Sequence, residues 1–137
     1  MFEKKTIASY ELIFLRLSGM RLTQEYEIIP KDSGAEISDY RMCINKAGDW
    51  ERVLERRVYC PEDRMLELLN RFNIWKWDGF HGKHPHGVLD GEMFSFRATV
   101  NDGETIHAEG SANLPKNFHE FHRGIDRLLS EAEEDTE

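Results

Sequence analysis

Apolar and polar residues alternate with one period in the first half of this chain and another later, and the two periods separate strands from helices. Residues 6–17 are rich in β-branched, aromatic and aliphatic side chains and are apolar on both faces, which suits a central strand. After the turn signal Ser18-Gly19, Leu22, Gln24, Tyr26 and Ile28 alternate with Thr23, Glu25 and Glu27. Period two with one wet face predicts a half-buried strand. Lys31-Asp32-Ser33-Gly34 has turn chemistry. Tyr40, Met42 and Ile44 then alternate with Asp39, Arg41 and Asn45, and Lys46-Ala47-Gly48-Asp49 leads into a fourth strand over 50–59. Links this short join antiparallel neighbours, so the pattern predicts a meander.

The period changes after Pro61, which suits the first position of a helix, with Glu62 and Asp63 favouring the dipole in its first turn. Met65, Leu66, Leu68, Leu69 and Phe72 then form one apolar stripe at helical spacing. A hairpin follows over 92–110. Asn101-Asp102-Gly103 suits a three-residue connection with Gly103 left-handed at a bulge. Pairing Val100 with Glu104 sets Ala98 opposite Ile106, Phe96 opposite Ala108 and Phe94 opposite Gly110. The other face then carries Thr99 with Thr105, Arg97 with His107 and Ser95 with Glu109, so register and polarity agree. A last helix is expected to begin near Pro115, with Phe118, Phe121, Ile125, Leu128 and Leu129 facing the core. The expectation is an α+β domain over 1–130, in the order ββββα-loop-ββα, with both helices on one face of an antiparallel sheet. Residues 131–137, five of them acidic, are expected to form a disordered tail.

Between the first helix and the hairpin, residues 75–91 read WKWDGFHGKHPHGVLDG, with four glycines, three histidines and two tryptophans. A loop this long inside a small domain is uncommon and tends to be functional or mobile. The W-D-G-F-H-G-x-H-P run, with the hairpin and the S-A-N-L-P segment at 111–115, resembles a family of small uncharacterised bacterial proteins. The resemblance covers most of the chain, supports a single domain and implies no activity.

Three readings of the loop stay open. In the first, His81, His84 and His86 converge on zinc or a similar divalent metal, with Asp90 or His107 as a further ligand. The spacing matches no standard zinc motif, and Pro85 forces an extended path. In the second, Trp75, Trp77 and Phe80, with Asp78 and the loop histidines, form a binding surface for a protein, peptide or small molecule. In the third, the tryptophans anchor the loop, the glycines supply positive φ and Asp78 and Asp90 cap turns. Other candidates are fainter. His119 and His122 lie three apart on the last helix and could share a site. Cys43 or Cys60 could pair with a loop histidine. Glu109, His107 and Arg97 form an acid–base grouping of the kind any solvated strand face can carry.

A formal net charge of -8 argues against nucleic acid as a partner, because phosphate binding needs a basic face. No apolar run is long enough for a membrane span, and the N-terminus lacks the uninterrupted apolar region of a signal peptide. Two cysteines without metal or redox spacing fit reduced thiols in the cytoplasm. Phosphate loops, dinucleotide fingerprints, H-E-x-x-H and G-x-S-x-G are all missing from the sequence. The expected function is therefore a non-catalytic cytoplasmic binding or protein-interaction module that uses the 75–91 loop and needs no cofactor. The alternative is a metal-dependent, hydrolase-like enzyme using the loop histidines.

Overall fold

The computed structural model of the chain describes residues 6–19, 23–32, 34–82, 93–111, 115 and 117–135. Four consecutive strands open it: β1 (Tyr10–Ser18), β2 (Thr23–Lys31), β3 (Gly34–Ile44) and β4 (Trp50–Pro61). Helix α1 (Glu62–Arg71) and a short 3-10 helix (Ile74–Trp77) follow. Then come β5 (His81–Gly82), β6 (Met93–Val100), β7 (Glu104–Ser111) and α2 (Phe118–Asp135). The sheet order is β4-β3-β2-β1-β6-β7-β5. Every pairing is antiparallel except the two-residue contact of β5 with β7. The fold is the expected α+β class, with both helices against one face.

That covered face holds the core. Ile13, Leu15 and Leu17 of β1, Tyr26 and Ile28 of β2, Ile37 of β3, and Phe94, Phe96 and Ala98 of β6 are all buried on it. Met65, Leu68 and Leu69 of α1, with Phe118, Phe121, Ile125, Leu128 and Leu129 of α2, close it from above. The helix stripes read from the sequence are thus the buried faces. Gly124 brings the helices together, because a side chain there would collide with Leu68.

Three expectations are corrected. β1 is central by hydrogen bonding, but only one of its faces is covered: Leu12 and Arg16 are exposed on the other. The strand also begins at Tyr10, because two asparagine side chains take over the pairing of the residues before it. The Ile7 N–H donates to Asn70 Oδ1 at 2.8 Å, and Asn70 Nδ2 donates to the Ile7 carbonyl at 3.0 Å. The Ala8 and Ser9 N–H groups both donate to Asn101 Oδ1, at 2.8 and 3.3 Å. The β6–β7 connection is the expected three-residue link with Gly103 left-handed (φ 112), and Asn101 (φ 46) and Asp102 (φ 63) are left-handed beside it. The register is nonetheless the expected one, pair for pair. Finally, α2 starts at Phe118, three residues beyond Pro115, and runs through 131–135, where a disordered tail was expected. Glu131 forms an ion pair with Arg64 of α1, which ties this last part of the helix to the domain.

Among the described residues, no helix lies on the second face of the sheet. On its β2–β3–β4 half, Arg52 reaches Glu27 at 3.0 Å and Glu25 at 3.4 Å, and Arg57 reaches Glu36 at 3.1 Å. Lys31 pairs with Glu36 at 3.2 Å, and the Arg52 guanidinium lies 3.7 Å from the centre of the Tyr40 ring. The long arginine stems cover Glu25 and Glu36, which are buried although no described element packs over them.

Candidate functional site

The other half of this open face, on β6, β7 and β5, brings together two features that are separate in the sequence. Cross-strand pairing sets Arg97 beside His107 and Ser95 beside Glu109, all directed away from the core. β5, the base of the 75–91 loop, then docks on β7 with His81 opposite Glu109. His81 Nδ1 lies 3.0 Å from Glu109 Oε1, with both side chains largely in solvent. Two imidazoles, a carboxylate and a guanidinium thus share one wet surface. Arg97 has no ion-pair partner among the described residues.

The path into the loop is fixed by local chemistry. Asn73, left-handed at φ 52, turns the chain out of α1 into the 3-10 helix. Gly79 takes φ 82 and donates its N–H to the His107 carbonyl at 2.9 Å. Asp78 Oδ1 accepts the His107 N–H at 3.0 Å, and the Glu109 N–H donates to the Phe80 carbonyl at 3.1 Å. Residues 78–82 are therefore bonded along β7 like a further strand.

The aromatic residues of the loop do different work. Trp77 is 2% exposed and lies edge-on to Phe96 and Phe121, with ring centroids 5.2 Å apart in both cases. It is a core residue, so it cannot be part of an exposed aromatic platform. Phe80 packs on Phe94 at 6.0 Å, and both Phe80 and Trp75 are half-buried against the core. Asp78 is spent on the β7 backbone. Among the described residues of the expected site, His81 projects into solvent and reaches Glu109. His84 and His86, with Asp90, lie outside the described residues. Among the described residues, no three His, Cys, Asp or Glu side chains are grouped so as to hold a metal ion.

The remaining sequence candidates are dispersed. His119 is exposed beside the Phe118 ring, whereas His122 turns to Tyr26. Cys43 pairs across the ladder with Glu51 and Cys60 with Ala35, at opposite ends of β3 and β4, so among the described residues neither thiol is brought to His81 of β5, at the other edge of the sheet. Burial pushes the Cys60 thiol up, which disfavours the reactive thiolate, although Arg64 opposes the shift.

One polar cluster escaped the sequence reading. Tyr26 is buried, and its hydroxyl lies 2.9 Å from His122 Nε2 and donates to Asp126 Oδ1 at 3.2 Å. Arg56 Nη2 reaches Asp39 Oδ2 at 3.1 Å and Asp126 Oδ1 at 3.7 Å, and Gln24 Nε2 donates to Asp39 Oδ1 at 2.9 Å. Burial first, then Asp126 and Asp39, push the Tyr26 phenol far above its ordinary value. It stays protonated and serves as a donor, so the cluster acts as a polar pin holding α2 to β2, β3 and β4. Tyr26 lies about a hundred positions from His122 and Asp126, a separation that no local pattern reveals.

No family model matches the sequence, and comparison with curated proteins and with solved structures finds no match. No described helix is long and apolar enough to cross a membrane.

Proposed function

We propose that this chain is a non-catalytic, cytoplasmic binding module for a protein, peptide or small molecule. Its working surface is the 75–91 loop together with the polar face of β6 and β7, and kinship with the W-D-G-F-H-G-x-H-P proteins belongs to the same reading. The observation that supports it is the docking of His81 on Glu109 by β5–β7 pairing. Docking sets the loop base along β7, at the edge of the polar face that carries Arg97 and His107. A surface held by backbone hydrogen bonds loses little entropy when a ligand arrives, which is the advantage of preorganisation. Trp77 and Phe80 contribute as anchors beneath the surface.

Amide chemical shifts of the full chain, followed during a screen of fragments and short peptides, test this. The reading expects perturbations gathered at residues 78–82, 97 and 107–111. Hits gathered on any other surface contradict it.

The metal reading keeps one specific point in its favour. A carboxylate on Nδ1 of a histidine fixes the ring and leaves Nε2 for a metal, and Glu109 stands in that position to His81. Zinc titration of the parent and of His81→Ala separates the two readings.

A further inference from the structure

A groove opens between the helices, on the opposite side of the sheet from the loop surface and lined by none of the residues of that surface. α1 and α2 meet where Leu68 faces Gly124, and beside that contact a groove of about 460 Å³ opens. Its apolar surface comes from Leu68, Phe72 and Leu128, and its charged walls include Arg71, Arg123 and Arg127. The volume falls in the range of small-molecule pockets.

The arginines of this protein are not scattered evenly with respect to their partners. Arg16, Arg41, Arg52, Arg56, Arg57 and Arg64 each form an ion pair with a carboxylate. The other four described arginines are Arg71, Arg97, Arg123 and Arg127, none with a carboxylate among the described residues in reach. Three of those four line this one groove. Glu67 and Glu120 also line it without reaching a guanidinium, while Glu131 is occupied by Arg64. The Arg71 guanidinium lies 5.6 Å from the centre of the Phe72 ring. Arginines lining a groove together with apolar side chains suit an anionic head on an apolar body, and two carboxylates on the walls disfavour a second negative charge.

We propose that the groove between α1 and α2 binds a small organic monocarboxylate, its head held by Arg71, Arg123 and Arg127 and its apolar body lying on Leu68, Phe72 and Leu128. Gly124 and Leu68 mark the wall such a ligand would touch.

Calorimetric titration of the full chain with octanoate, octanol and inorganic phosphate tests the assignment. Octanoate, kept below its micellar concentration, is expected to bind, and the neutral alcohol and phosphate at least tenfold more weakly. The double variant R123Q/R127Q is expected to lose at least tenfold in octanoate affinity while its urea midpoint without ligand stays at the parent value. Octanol binding as tightly as octanoate, phosphate binding as tightly, or octanoate affinity unchanged in R123Q/R127Q would each overturn the proposal. Should that variant fold poorly, amide shifts of the unaltered chain decide instead. Octanoate must then move the Leu68 and Gly124 resonances, and perturbations confined elsewhere refute the site.

Discussion

Phe121 is where the packing of α2 and the placement of the loop are one question. Its ring is fully buried and stands edge-on to two others, Trp77 at 5.2 Å and 85°, and Phe96 at 5.9 Å and 84°. Truncating a buried phenylalanine to alanine removes its transfer energy and leaves a cavity, so Phe121→Ala should cost about 3–5 kcal/mol. For a domain whose total stability is on the order of 5–15 kcal/mol, that is a large fraction. Each edge-to-face pair adds roughly 0.5–1.5 kcal/mol beyond area burial. A double-mutant cycle with Phe121→Leu and Trp77→Leu keeps most of the apolar volume and isolates one of these pairs. Urea unfolding of the four proteins gives the coupling, which should fall in that same interval. Because Trp77 directly precedes residues 78–82, Phe121→Ala should also broaden the amide signals of His81 and Gly82. A Phe121→Ala midpoint equal to the parent's would refute the assignment of this helix face to the core. A coupling of zero would show that the ring geometry contributes nothing beyond volume.

Three further outcomes are expected. Gly34→Ala should destabilise by roughly 1–3 kcal/mol in urea, because a Cβ there would lie 2.6 Å from the Cys60 carbonyl oxygen on the neighbouring strand. An unchanged midpoint would mean that the β3–β4 pairing is looser than described. Burial, first among the causes, raises the Tyr26 and Tyr10 phenols above the unfolded value of about 10, so their contribution is complete below that pH and lost as pH rises past it. Stability measured from pH 9 to 11 should therefore fall, and Tyr26→Phe should reduce the slope by up to about 1.4 kcal/mol per pH unit. Zinc or nickel should leave the melting temperatures of the parent, His81→Ala and His84→Ala unshifted, and a rise in the parent alone would favour the metal reading.

The β6–β7 hairpin was legible to the residue because alternating polarity and a Gly-containing turn fix the register together. The stripes of α1 and α2 were legible for the same kind of reason, since each carries one unbroken apolar face. The start of β1 was not, because Asn70 and Asn101 hold residues 7–9 from distant parts of the chain. Nor could sequence order show that β6 inserts beside β1, leaving β4 and β5 at the two edges. At the site, the polar face of the hairpin and the histidine loop were each visible. Their meeting depends on a two-residue parallel contact too short for any periodicity to announce. Trp77 shows the limit of composition: a tryptophan among glycines suits a binding platform and a core anchor equally, and only burial separates them.

The central claim is that the loop base belongs to the sheet and so presents a preorganised surface. Native-state hydrogen exchange of the Gly79 and Glu109 amides tests it most directly, because these donate to the His107 and Phe80 carbonyls across the β5–β7 contact. The account predicts protection of both amides at a level comparable with the β6–β7 ladder. Exchange of both at the rate of an open chain, while that ladder stays protected, would contradict it.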